Sequence, residues 1–203
     1  STESFDACIN EVTKLYDKRC CVQSSSSSLS SGNVTMIPFL TGERSTGYRS
    51  GARGCISSIS RETTANDIMY ACLESVVLRL VCVLQLIENL CSSRQLEESK
   101  PHQTVIVASG SALECSTLWR QMLADCSLMD VIVDSDSSEG TSRGVAMLLA
   151  TSLHQNAIGQ SEQLVIKSET KTNAVAKEYW RNALATQESL VQAVLGPTLF
   201  DKA

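Results

Sequence analysis

The stretch from Thr104 to Asp125, TVIVASGSALECSTLWRQMLAD, constrains the fold more than any other part of the chain. Val105-Ile106-Val107-Ala108 is short, apolar and rich in β-branched residues, the pattern of a buried strand. Ser109-Gly110-Ser111 reads as a tight turn of small residues. Ser116 then stands where a hydroxyl can cap a helix, and Leu118, Trp119, Met122, Leu123 and Cys126 form one apolar stripe along it. Strand, small-residue turn and helix is a common way to bring backbone N–H groups up to a phosphate or a nucleoside. It is also a plain connection in an α/β core, and a single glycine does not decide between the two.

The neighbouring segments extend the same alternation. Phe5, Cys8, Ile9, Val12 and Leu15 have helical spacing. Thr35–Leu40 reads as an edge strand ended by Pro38, and GCISSIS (54–60) as a second short strand. Thr64-Ala65-Asn66-Asp67 has the character of a capping box and opens a long helix to about Leu90. Its apolar positions are Met69, Cys72, Leu73, Val76, Val77, Leu80, Val81, Leu84 and Ile87. Glu74 and Arg79 fall on its flank, where single charges are usually solvated or locally paired. Asp130–Asp134 is a further strand. Glu139 to Leu153 is a helix whose Gly140 and Gly144 permit close packing. The span 155–172 reads as a polar linker, and Asn173–Leu195 as an amphipathic helix stopped by Gly196-Pro197. Strands alternating with helices predict an α/β layer architecture.

Charge and cysteine usage narrow the function classes. A net charge of −5 with no basic stripe argues against nucleic-acid binding. Nine cysteines without a CxxC pair, most of them inside apolar patterns, fit a reduced cytoplasmic chain better than a disulfide framework. His102 and His154 lack metal-ligand spacing to them, so no metal site is expected. Glu74, Arg79, Gln85 and Glu88 interrupt the most apolar helix, which favours a core helix over a membrane span. The serine run 24–31 reads as a surface loop. Between the two short strands, residues 41–54 combine four glycines with four charged residues, a loop held by turns and ion pairs. Such a loop is either a solvated surface or the rim of a functional cleft.

Three of these segments, in order, resemble the C-terminal lobe of the FGGY family of carbohydrate kinases. PFLTGERSTGYRSGARG (38–54) is similar to the family's P-F-x-x-G-E-R-x-P-x-x-x-x-x-A-R-G loop. GCISSISRETTANDIMYACLES (54–75) is similar to its second signature, which ends A-x-L-E. VIVASGSALECSTLWRQMLADC (105–126) with VIVDSDSSEGTSRGVAMLLA (131–150) is similar to G-G-A-x-x-S-x-x-W-x-Q-x-x-A-D followed by P-V-x-x-P-x-x-x-E-A-x-x-x-G-A-A-x-L-A. The resemblance covers about 34–154, leaving 1–33 as an N-terminal helix and serine-rich loop and 155–203 as a linker and C-terminal helix. The flavour is nearest the gluconate- and xylulose-kinase-like branch.

The resemblance implies part of an actin-like ATPase (ribonuclease H-like) α/β lobe, with a long core helix and a C-terminal amphipathic helix. It implies ATP with magnesium on the phosphates, and phosphoryl transfer to a sugar or polyol hydroxyl. Gly110, Ser111 and Ala112 fall on the turn along the nucleotide. Cys115 falls where some members place an Asn beside the adenine. Gly42, Glu43 and Arg44 fall on a loop near the cleft between lobes. No catalytic residue is expected among these 203 residues, because the family's catalytic aspartate and sugar site lie in the N-terminal lobe. The expected partner is that lobe, in a longer chain or as a separate chain. The alternative is a non-catalytic pseudokinase fragment acting as a protein-interaction module. Association of the isolated chain into oligomers is expected from exposed sheet edge, with no nucleic-acid or membrane partner. Ser111 replaces the second glycine of the nucleotide turn, Ser58 a signature glycine, Thr46 a proline and Gly140 an alanine.

Overall fold

A computed structural model describes residues 2–21, 34–92, 104–134 and 166–196, together with the helical positions Ser142, Val145, Leu148, Leu149 and Ser152. The serine run, both histidines, Glu139, Gly140 and Gly144 lie outside the described residues. The elements are α1 (Thr2–Cys21), β1 (Thr35–Ile37), β2 (Cys55–Ser57), α2 (Ala65–Ser92), β3 (Val105–Ala108), α3 (Ser111–Cys115), α4 (Thr117–Ser127), β4 (Asp130–Asp134), β5 (Ile166–Thr170), a 3-10 turn (Ala174–Ala176) and α5 (Lys177–Leu195). They form two β units. In the larger, the order is β3-β4-β5, with β3 parallel and β5 antiparallel to β4. In the smaller, β1 and β2 pair antiparallel, Met36 opposite Ile56.

The parallel β3–β4 pair needs a crossover, and α3 and α4 supply it. Ser116 begins α4 as its sequence promised: its hydroxyl accepts the Trp119 N–H at 3.2 Å. α4 lays Leu118, Met122, Leu123, Ala124 and Cys126 against Val131 and Val133 of β4 and Ala108 of β3. α1 adds Val12, Tyr16 and Cys20; α2 adds Tyr70, Val77, Leu78 and Val81; α5 adds Trp180. At the C-terminal end of α5, Val191 joins Ile37, Phe39 and Ala52 in a second, smaller core under the β1–β2 unit. α5 therefore spans both cores. Between them, buried Gln187 donates to Met36 O at 2.9 Å and to Ser75 O at 3.1 Å. Those two bonds satisfy both N–H groups of the buried Gln187 amide, which would otherwise be costly to bury.

The capping box is reciprocal. The Thr64 amide donates to the Asp67 carboxylate at 2.9 Å, and the Asp67 amide to the Thr64 hydroxyl at 3.2 Å. Arg19 of α1 reaches the same carboxylate at 2.8 Å. Partial burial opposes the Asp67 charge, but the Thr64 bonds and Arg19 outweigh it and hold the carboxyl below its ordinary range.

Several sequence expectations are corrected. The packed face of α2 is rotated from the predicted stripe: Tyr70, Ala71, Glu74, Val77, Leu78 and Val81 are buried, while Leu80 and Ile87 are exposed. The helix is apolar nearly all round, so periodicity fixed its existence and not its phase. By length and composition Ala65–Cys91 could also cross a bilayer, but here it packs between α1, α4, α5 and β1. Glu74 is neither solvated nor paired on its own helix. It is buried and accepts a short hydrogen bond from the Tyr179 hydroxyl of α5, which itself accepts from Tyr70 at 2.9 Å. The segment read as a linker contains β5, an edge strand whose polar Lys-Ser-Glu-Thr composition hid it. The predicted strand 35–40 shortens to Thr35–Ile37, ending before Pro38, which has no N–H to continue a ladder.

Candidate functional site

The turn after β3 forms one wall of a pocket. Gly110 adopts φ 90°, a conformation that favours glycine, and α3 starts at the next residue. Ser111, in place of the expected second glycine, is helical, so its side chain carries no positive-φ cost. The pocket has a volume of about 370 Å³ and is lined by Ser109 to Leu113 from the turn and α3, Val76, Val77 and Leu80 from α2, and Trp119 and Leu123 from α4. Its wall is mainly apolar, and none of the lining residues is charged. The indole N–H of Trp119 donates to Leu73 O at 3.0 Å, which pins that wall to α2.

Three of the four predicted nucleotide residues, Gly110, Ser111 and Ala112, meet at this pocket. Cys115 does not line it. It is exposed at the end of α3, one turn beyond Ser111 and on the same helical side. Its thiol forms no disulfide. The α2 wall was missed from the sequence, where nothing sets Val76, Val77 and Leu80 apart from the other apolar residues of that helix. Glu114 was also missed. Its carboxylate accepts the Gly110 N–H at 3.0 Å, and its own amide donates back to Gly110 O at 3.0 Å.

Gly42, Glu43 and Arg44 lie elsewhere and line no part of this pocket. Glu43 is 2 % exposed and pairs with Arg79 of α2 at 3.2 Å and with Arg49 at 3.4 Å. Arg49 also donates to Gly196 O at the end of α5, at 3.0 Å. Arg44 is exposed. Gly42 takes φ 91°, and a Cβ there would lie 2.9 Å from Ser50 O, so glycine is required by both conformation and space. The loop is thus held by ion pairs and turns, as its composition predicted, and Glu43 acts as its anchor. The Ser45–Thr46 peptide is cis, at the position where the resembled motif has proline. Ser58, where the signature has glycine, takes φ 63°.

Asp125 closes the helix that carries Trp119. It is 1 % exposed and accepts from the Tyr16 hydroxyl, the Gln121 amide at 2.9 Å and the Asn173 N–H at 2.6 Å. These bonds join α4 to α1 and to the entry of α5. Burial, with the Asp125 hydrogen bond, pushes the Tyr16 phenol far up. Among the described residues no cluster of His, Cys, Asp or Glu could hold a metal ion.

An α/β lobe with an apolar pocket at a strand–glycine–helix turn has the architecture in which small-ligand sites commonly form. The comparisons narrow this. The family model for the FGGY family of carbohydrate kinases, C-terminal domain, matches residues 10–153, and the chain belongs to that family. Xylulose kinase from Rhodospirillum rubrum aligns with a TM-score of 0.62 at 14 % identity, covering 93 % of this chain and 38 % of that one. Gluconate kinase from Lactobacillus acidophilus aligns with a TM-score of 0.63 at 21 % identity, covering 84 % and 33 %. Plasmodium falciparum glycerol kinase with ADP aligns with a TM-score of 0.60 at 18 % identity, covering 92 % and 34 %. These likenesses show the actin-like ATPase fold expected from the sequence. The chain spans about a third of the length of these structures. No curated protein sequence matches it.

Proposed function

We propose that this chain is the nucleotide-binding lobe of an ATP-dependent carbohydrate kinase, and that the pocket at the β3–α3 turn receives the nucleoside end of ATP. The observation that carries this reading is the coincidence of the family's turn with the apolar cavity of about 370 Å³, a volume within the usual range for small-ligand sites. Val76, Leu80, Leu113, Trp119 and Leu123 would exclude water from the flat apolar faces of the base. Ser109 and Ser111, at the rim, would supply hydroxyls for its polar edge or for the ribose. Magnesium would arrive with the phosphates of the nucleotide. The chemistry this supplies is charge neutralisation at the transferred phosphoryl group. The acceptor hydroxyl and its general base would come from a second lobe, in a longer chain or a partner.

Isothermal titration of MgATP and MgADP into the 203-residue chain tests the reading. Saturable binding, lost on Leu80→Trp and Ala112→Trp, which fill the pocket from opposite walls, is the expected result. No binding by a folded chain, or binding that both variants leave unchanged, would overturn it.

A further inference from the structure

The Gly110 amide, which a ligand in the pocket would meet at the turn, is already taken. Glu114 turns its carboxylate back onto it at 3.0 Å. A carboxylate hydrogen-bonded to a backbone amide is a strong, charge-assisted contact. It satisfies the donor and places a negative charge at the pocket rim. Nothing in the lining offsets that charge, since all of its residues are uncharged. The cation of α4 beside this turn, Arg120, is buried, and one of its terminal nitrogens donates to the carbonyls of Leu113 and Glu114 at the end of α3. Its hydrogen bonds go to the C-terminal carbonyls of that short helix, and no ion pair joins it to the Glu114 carboxylate among the described residues.

We propose that Glu114 is a specificity determinant of this pocket: its carboxylate closes the Gly110 amide to anions, so the pocket selects an uncharged nucleoside end and turns phosphates away from the turn. The inference rests on the nucleotide reading above and deepens it. Like charges brought together in a site of low polarity repel strongly, whereas a neutral ribose or base edge meets only an acceptor. A ligand whose phosphate approached Gly110 would have to displace the carboxylate and stand beside it. Glu114 is half-buried on a five-residue helix, so Glu114→Gln keeps the shape and the acceptor oxygen while removing the charge.

The experiment compares adenosine, AMP and ADP, without magnesium, on the wild-type chain, Glu114→Gln and Glu114→Ala. In the wild type, adenosine binds at least as tightly as AMP or ADP. Glu114→Gln tightens AMP and ADP about three- to tenfold and leaves adenosine within about twofold, the size expected for one charge at a partly solvated site. Glu114→Ala also tightens AMP and ADP. Binding of AMP or ADP more than about tenfold tighter than adenosine, with no response to Glu114→Gln, would overturn the role of Glu114 and leave the nucleotide reading standing. Binding of none of the three would overturn both.

Discussion

The two cores of this lobe are held by different forces. The larger rests mainly on apolar burial: four helices bury aliphatic and aromatic side chains on β3 and β4, with Trp180 packed edge-on to Tyr179 and tilted against Tyr16. Its buried carboxylates, Glu74 and Asp125, are hydrogen-bonded to tyrosines rather than set between arginines. The smaller has four buried hydrophobic residues among the described ones, and its loop is fixed by Glu43 buried between two arginines. Apolar burial is non-directional and adds up over area. A buried ion cluster has little net value but is costly to break. The first core therefore sets the stability of the lobe, and the second sets the conformation of one loop.

The comparison breaks most sharply at Trp180, which is 1 % exposed. Trp180→Ala should cost about 4 kcal/mol and lower the urea midpoint of the whole lobe. Glu43→Ala should cost about 3 kcal/mol by leaving Arg49 and Arg79 without a counter-charge. Its effect should be local: hydrogen exchange should speed at 42–52, while β3 and β4 keep their protection. Equal loss of protection in both regions would show that the two cores unfold as one unit.

The third test uses pH. Burial raises the Glu74 carboxyl from 4.5 to about 7, against the opposing pull of the Tyr179 hydrogen bond and Arg19. The folded value lies above the unfolded one, so the fold binds the proton more tightly. That contribution is complete below about pH 4.5 and is lost as pH rises through 7. Relative to Glu74→Gln, the wild type should lose on the order of 2 to 3 kcal/mol of stability between those limits. Parallel stability–pH curves for the two proteins would contradict the burial of Glu74. The smallest effect is at Ser58. Its φ of 63° disfavours a side chain, so Ser58→Gly should stabilise by about 0.5 kcal/mol, read as a small rise in Tm.

What the sequence made legible follows the same division. The elements of the larger core announce themselves through local signals: the capping box at Thr64, the hydroxyl cap at Ser116, the β-branched runs of β3 and β4, and Gly196 after α5. Each is short-range, and each element formed, but β3 is not the buried strand its apolar run suggested: Val105 and Val107 are exposed and only Ala108 is buried. β5 was hidden because an edge strand that pairs only with β4 needs no alternation of apolar residues. The phase of α2 was hidden because its apolar residues surround it. Glu74 and Glu43 looked like surface charges because their partners, Tyr179 and Arg79, are distant in sequence. The turn of the candidate site was readable from its glycine and its resemblance to the family. Its opposite wall was not, because Val76 and Leu80 meet Gly110 and Ala112 only in the folded chain.

The central claim is that the pocket between α2 and α3, and not the Glu43 loop, receives the nucleoside end of the ligand. The most direct measurement is a two-dimensional amide NMR titration of the full chain with MgADP. Saturable shifts at Gly110, Ser111, Ala112, Leu80 and the Trp119 indole, with Gly42, Glu43 and Gly47 unmoved, are the predicted result. Shifts centred on residues 42–54 with the α3 turn silent would contradict it.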